Sequence, residues 1–230
     1  MQAVILAGGL ATRLGDITQK TPKSLVSIQG KPFLQYQLDF LRENDIKDIV
    51  LCIGHLGEQI QEVFGNGAKY GLNIQYSVEE KLMGTAGAIK QAEPLLEETF
   101  FTLYGDSYFH LNFKDIMSFF LARRKTALMT VYRNTDLYDR SNTTIEGDIV
   151  TKYDKKNTAG DMVYIDYGLN IFRKNVLQYI PPSTHYGLED VFVHLITQRE
   201  LLAYEVKERF YEIGSVEGLR ELNEFIRRNL

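Results

Sequence analysis

Tryptophan is absent from these 230 residues, which removes the strongest ring for caging a quaternary amine. There is one cysteine, Cys52, so no disulfide forms within the chain. It sits in the apolar run Ile49-Val50-Leu51-Cys52-Ile53 and reads as an inert buried strand residue. The four histidines do not fall at metal-ligand spacing, and none has a serine or cysteine nucleophile beside it; a zinc site and a hydrolase triad are not expected. No apolar run reaches the length of a membrane span, and Arg13 and the early glycines interrupt any signal-peptide pattern. The expected location is therefore the cytoplasm, with no membrane partner. A net charge of −4 argues against nucleic acid as a partner. Neither the G-x-x-x-x-G-K-S/T phosphate loop nor a G-x-G-x-x-G turn after a strand is present.

What is present is an ordinary soluble composition, 44% apolar and 24% charged, in a chain long enough for one large α/β domain. Ala3–Ala7 reads as a buried strand and Phe33–Glu43 as an amphipathic helix. Strands at Ile49–Ile53, Asn73–Val78, Phe100–Tyr104 and Leu128–Tyr132 alternate with helices at Glu58–Phe64, about Thr85–Ala92, and Phe113–Arg124. This order predicts a mostly parallel sheet covered on both faces, with ligands at the carboxyl ends of its strands. The later part is β-rich. Thr143–Ile145 and Ile149–Tyr153 flank a Glu146-Gly147-Asp148 turn, Val163–Phe172 is a strand, and Leu188–Gln198 and Ser215–Asn229 are helices. The expected organisation is one domain over 1–230, in two halves, 1–133 and 134–230.

The first strand runs into Gly8-Gly9 and then a loop that is basic in an acidic molecule: between Met1 and Lys31 stand Arg13, Lys20, Lys23 and Lys31 against Asp16 alone. Two residues without Cβ let the backbone approach a ligand, and successive N–H groups in such a turn suit an anion. Arg13 as a fork and Lys23 as a point charge can neutralise phosphates. The segment points to a nucleoside triphosphate. Gly105-Asp106 follows another strand, and a carboxylate at such a place beside a phosphate loop suits Mg²⁺.

Leu6-Ala7-Gly8-Gly9-x-x-Thr12-Arg13-Leu14, then Thr21-Pro22-Lys23 and Gly30-Lys31-Pro32, resembles the sugar-1-phosphate nucleotidyltransferases. The resemblance implies a three-layer α/β/α Rossmann-like fold of the GT-A-like nucleotidyltransferase type, with a β-rich sugar-binding part. It also implies a minimal catalytic domain without a further C-terminal domain. The family usually has glycine where this chain has Ala11; either Ala11 keeps a negative φ or the loop is shifted locally.

Carried over residue by residue, the resemblance makes Arg13 and Lys23 the catalytic cations, and Leu6, Ala7, Gly8, Gly9, Ala11 and Thr12 nucleotide contacts. Asp106 is implied as a metal ligand that also meets substrate, and Glu212, in Tyr211-Glu212-Ile213-Gly214, stands where relatives usually have aspartate. Gly84 and Thr85 open the helix of the nucleotide-base segment, with its first amides expected to face the ligand. Glu79 lies where pyrimidine-using members often have glutamine. A carboxylate only accepts hydrogen bonds, and guanine offers N1–H and N2–H, so Glu79 leans toward GTP and then CTP, with Glu80 as the alternative position. Lys156, with Lys155 second, is implied as the sugar-phosphate contact. Gly168 makes room for the sugar, and Asp166 and Asn170 are placed to bond its hydroxyls. Glu189 fits a sugar-contacting acid or a helix-opening residue.

The expected reaction joins an NTP and a sugar 1-phosphate, with Mg²⁺ as cofactor and GTP with heptose or mannose 1-phosphate as the leading pair. A homodimer is left open. Two rivals remain: a phosphocholine-type cytidylyltransferase, which shares the Tyr-Glu-Ile segment, and a catalytically weak regulator that binds nucleotide sugars.

Overall fold

The computed structural model describes residues 1–9, 14, 20–134, 138–156, 160 and 162–229. Ala11, Thr12 and Arg13 lie outside the described residues. In chain order, strands β1 (Gln2–Leu6), β2 (Ser27–Ile28) and β3 (Lys31–Pro32) precede helix α1 (Phe33–Glu43). Then come β4 (Asp48–Ile53), α2 (Gly57–Phe64), β5 (Asn73–Val78), α3 (Gly84–Gln91), β6 (Thr99–Tyr104) and β7 (Ser107–Tyr108). Next are α4 (Phe113–Arg123), β8 (Ala127–Arg133), β9 (Thr143–Glu146), β10 (Ile149–Tyr153) and β11 (Tyr164–Arg173). The last elements are α5 (Leu188–Thr197), β12 (Leu201–Val206), β13 (Tyr211–Glu212) and α6 (Val216–Asn229). Every strand and helix expected from the sequence is present within one or two residues of its expected bounds. β12 is an addition. No helix among the described residues is long and apolar enough to cross a membrane.

The chain packs as two compact units, each assembled from separate stretches. The first holds Met1–Leu82, Leu103–His110 and Phe210–Leu230. Its strands β1, β4 and β5 pair in parallel, with Gln2 opposite Asp48 and Asp48 opposite Asn73. β1 and β4 are buried almost throughout, as near-continuous Val/Ile/Leu runs in a sheet covered on both faces should be. Helix α1 starts directly after Pro32, which fixes its own φ and needs no donor there, and it buries Phe33, Leu34, Leu38 and Leu41. A second apolar cluster joins Ile28, Phe33, Tyr36 and Tyr108 to Ile213, Leu222 and Ile226 of the C-terminal stretch. Antiparallel pairing sets Tyr211 opposite Tyr108 and Glu212 opposite Ser107.

The second unit holds Met83–Thr102 and Leu111–Arg209. Its sheet is mixed: β8 pairs with β12 in parallel and with β11 antiparallel, and β10 pairs antiparallel with both β12 and β9. The parallel arrangement expected of the sheet thus describes the first unit; in the second, the β9–β10 hairpin and the reversed β11 and β10 give antiparallel neighbours. Gly147, at φ +57°, closes the β9–β10 hairpin. Asn112 caps α4 by accepting from the amides of Lys114 and Asp115. In β11 the register slips between Asp166, opposite Val131, and Asn170, opposite Met129; the bulge carries Gly168 at φ +94°.

Candidate functional site

In the first unit the carboxyl ends of β1, β4 and β5 come together. The Ala7 amide donates to Cys52 O (2.8 Å) and the Glu79 amide to Ile53 O (2.8 Å). A Cβ on Gly8 would stand 2.7 Å from Glu79 Oε1 and 3.3 Å from the Gly54 nitrogen, so a larger residue there would push the Glu79 carboxylate aside. What packs on Gly8 is a carboxylate. Of the two adjacent acids, Glu79 turns toward Gly8, whereas Glu80 is exposed. Burial, and then the Glu79 charge, push the Cys52 thiol far up, which fits an inert cysteine. Leu6 ends β1 half-buried, and among the described residues a Cβ on Gly9 would meet nothing within 4 Å.

Lys23 stands in a short 3₁₀ turn after Pro22, and its Nζ donates to Asp106 Oδ2 at 2.6 Å. The side chains are 15% and 30% exposed, so the pair is sheltered but not sealed. The turn that carries Asp106 is fixed through its backbone. The Gly105 amide donates to Leu6 O (3.0 Å), and a Cβ on Gly105 would lie 2.6 Å from that same oxygen. The Ile213 amide donates to Asp106 O (2.9 Å), which, with Glu212 opposite Ser107, brings the second acid to the neighbouring strand. Gly218, in the first turn of α6, has its Cα against the Glu212 carbonyl, where a Cβ would overlap it. The donor set is two carboxylates, the hard oxygen ligands that suit a hard divalent cation completing its shell with water and phosphate oxygens. Among the described residues no group of three or more His, Cys, Asp or Glu is gathered.

The second unit holds the remaining expected site residues. Gly84 is at φ +72°, and a Cβ there would lie 2.6 Å from Tyr186 O; at Gly87 it would lie 2.8 Å from Thr184 O. The amides of Ala86 and Gly87 both donate to Tyr186 O, at 3.0 and 3.1 Å, and Thr85 Oγ1 accepts from the Leu188 amide at 2.8 Å. Two of the first amides of α3, those of Ala86 and Gly87, are thus taken by the segment leading into α5 instead of facing a ligand, and the small residues make room for that backbone.

Asp166, 8% exposed, accepts from the Gly168 amide (3.0 Å) and from Tyr153 OH (3.4 Å). Burial, Asp166 and Glu189 together raise the Tyr153 phenol far above its ordinary range, so the two acids and the ring are close neighbours. The Glu189 carboxylate also folds back over Gly187 at the start of α5. Asn170 is 1% exposed, and its Oδ1 has no hydrogen-bond partner among the described residues. Lys156 is exposed in a turn where its amide donates to Asp154 Oδ1 (2.7 Å). Its neighbour Lys155, the second choice, holds its Nζ 5.9 Å from the Tyr153 ring centre.

Sequence reasoning missed Gln37, a buried amide on the apolar face of α1 whose nitrogen donates to the carbonyls of Tyr104 and Ser107. The one signal was a glutamine at a core position of the helix.

Comparison with known proteins gives the same answer along the whole chain. The chain is 31% identical over 216 residues to a UTP–glucose-1-phosphate uridylyltransferase of Synechocystis sp., covering 85% of this chain and 55% of that one. It therefore spans about half the length of that relative. A D-glycero-α-D-manno-heptose 1-phosphate guanylyltransferase of Campylobacter jejuni is 29% identical over 215 residues, covering 93% and 95%. The crystal structure of HddC from Yersinia pseudotuberculosis complexed with GMP-PN superimposes with a TM-score of 0.80 at 26% identity, covering 98% and 99%. For the fold alone, a putative glucose-1-phosphate thymidylyltransferase from Bacillus anthracis reaches a TM-score of 0.88 at 22% identity, covering 99% and 95%. Residues 2–229 match the nucleotidyl transferase family, and the chain belongs to it.

Proposed function

We propose that this chain is a sugar-1-phosphate nucleotidyltransferase that takes GTP and heptose or mannose 1-phosphate and releases pyrophosphate. The observation that carries the reading is the Lys23–Asp106 pair, a sheltered cation and carboxylate held at 2.6 Å. A phosphate-transfer site needs both signs: a cation for phosphate oxygens and a carboxylate for a metal. The nucleophile is a sugar 1-phosphate oxygen, already an anion, so no general base is required. Positioning and charge neutralisation do the work. Lys23, released from Asp106 when substrate enters, steadies the α-phosphate. Asp106 and Glu212 are the residues that would hold Mg²⁺, which when bound neutralises charge on the reacting phosphates. In the second unit, Asn170 Oδ1 is a buried acceptor available to a sugar hydroxyl, and Lys155 or Lys156 to the sugar phosphate. The proposed place of work is the cytoplasm, where both substrates are soluble.

Guanine is favoured because Glu79 presents a carboxylate at the Gly8 turn. It accepts from N1–H and N2–H but faces O4 of uracil or thymine unfavourably. Relatives from Campylobacter jejuni and Aneurinibacillus thermoaerophilus, both named heptose 1-phosphate guanylyltransferases, match over nearly the full length of both chains, which supports the same choice. The test is pyrophosphate release from four NTPs against a set of sugar 1-phosphates. GTP is expected to lead UTP and TTP by about 1–3 kcal/mol, and Glu79→Gln to narrow that gap. Preference for UTP in the wild type, or an order unchanged in Glu79→Gln, rules out the base assignment. No pyrophosphate from any pair rules out the activity.

A further inference from the structure

We infer that Gln37 is a positioning residue for the metal carboxylate Asp106. This deepens the proposed function and rests on the reading of Asp106 as a metal ligand. Gln37 lies on the face of α1 that buries Phe33, Leu34, Leu38 and Leu41, and it is 4% exposed. An amide in such a place is costly unless it is hydrogen-bonded. Its Nε2 donates to Tyr104 O at 2.9 Å and to Ser107 O at 2.7 Å. Those carbonyls belong to the last residue of β6 and the first of β7. Between them are only Gly105 and Asp106. One amide nitrogen therefore ties both ends of the two-residue turn to a rigid helix, and its two N–H donors match the two acceptors.

The orientation of the amide is unambiguous, because both neighbours are acceptors and only the nitrogen can face them. Among the described residues Gln37 Oε1 is left buried without a partner. A side chain kept only for packing would be an apolar residue of the same length, which leaves no orphaned oxygen. The backbone of the turn is also held by the Gly105 amide on Leu6 O and the Ile213 amide on Asp106 O, and α1 adds a further side to the frame. With that side removed, the turn keeps its strands, but the Asp106 carboxylate is no longer held in one position for the ion. Groups that orient a metal ligand from behind are worth roughly 10–100-fold in metal affinity or activity.

The test uses Gln37→Met, of similar length and without a donor, beside wild type and Asp106→Asn. Mn²⁺ uptake is followed by electron paramagnetic resonance with GTP present and no sugar 1-phosphate, and metal activation and KM values are measured separately. For Gln37→Met we expect a Mn²⁺ dissociation constant and a metal half-activation concentration each raised about tenfold, with KM for sugar 1-phosphate within about twofold of wild type. Gln37→Asn keeps an amide too short to reach both carbonyls, and it is expected to fall between; it carries the test if the methionine variant does not fold. If Asp106→Asn loses Mn²⁺ uptake but the folded Gln37 variants match wild type, the positioning role is overturned and the metal reading stands. If Asp106→Asn takes up Mn²⁺ as wild type does, the metal reading fails and the inference falls with it.

Discussion

Two aspartates, Asp106 in the first unit and Asp166 in the second, look alike in sequence, each at a strand and close to a glycine. Their surroundings differ. Asp106 has its backbone tied down and its carboxylate turned to Lys23, with 30% of the side chain exposed. Asp166 is 8% exposed and its carboxylate is spent inward, on the Gly168 amide and the Tyr153 hydroxyl. The first is a fixed base with a charge on offer. The second holds a bulge in the shape that a glycine at φ +94° requires. On the proposed reading, an acid beside a glycine is either the working group or the brace, and what separates them is where the two carboxylate oxygens go.

The largest effect that would break this comparison is expected at Asp106. Asp106→Asn should lower kcat/KM roughly a thousandfold with little change in Tm, because an amide is a poor ligand for a hard cation. Pyrophosphate release across a Mg²⁺ titration checks it; wild-type turnover in the variant would make Asp106 a brace too. Lys23→Ala should cost about a hundredfold in kcat/KM, with circular dichroism confirming the fold. Asp166→Ala should show the opposite signature. It strands the buried Gly168 amide, so stability falls by about 1–3 kcal/mol. In a chain of this size that is a drop of about 2–4 °C in Tm per kcal/mol, read by calorimetry. A catalytic loss as large as that of Asp106→Asn at unchanged Tm would erase the distinction.

The smallest effect is expected at Glu200, a carboxylate in the second unit with no part in the proposed site. Burial pushes its carboxyl up, but the Thr126 hydroxyl and amide and Lys125 outweigh this and hold it below the usual range. A folded pKa below the unfolded one stabilises above the unfolded value, and that contribution is lost as pH falls through the folded value. Glu200→Gln should therefore lower Tm slightly at pH 7, and the two proteins should converge in acid while kcat stays unchanged. A Tm difference that persists at low pH would assign the effect to packing instead of charge.

Legibility from sequence follows the range of the interaction. The strands of the parallel sheet are plain because near-continuous apolar runs bounded by turns have few other readings. Asp106 is plain because Gly-Asp after such a run has a family pattern behind it. The choice between Glu79 and Glu80 depends on where β5 ends, to a single residue, and the sequence could not show that Glu79 is the one packed on Gly8. Gly84 and Gly87 announce room but not the occupant, which is the Thr184–Tyr186 backbone. Gln37 is invisible for another reason: helical periodicity marks its face as buried, and a polar residue there reads as a defect until its two acceptors are seen. β12 escapes because only Gln198, Arg199 and Glu200 separate its apolar run from α5.

The order of synthesis gives the interleaved chain a further meaning. Ile28, Phe33, Tyr36 and Tyr108 are made early, but their covering partners Ile213, Leu222 and Ile226 belong to the last stretch of the first unit. The second unit's Leu111–Arg209 must emerge from the ribosome in between. At translation rates of about 5–20 residues per second, that leaves the apolar cluster open for roughly 5–20 s. On the proposed reading, Asp106 waits without Glu212 during that interval, so the nascent chain passes through a stage that is both sticky and inactive. A premature stop before Phe210 would leave it there permanently, as a target for chaperones and proteases and with the proposed metal pair incomplete.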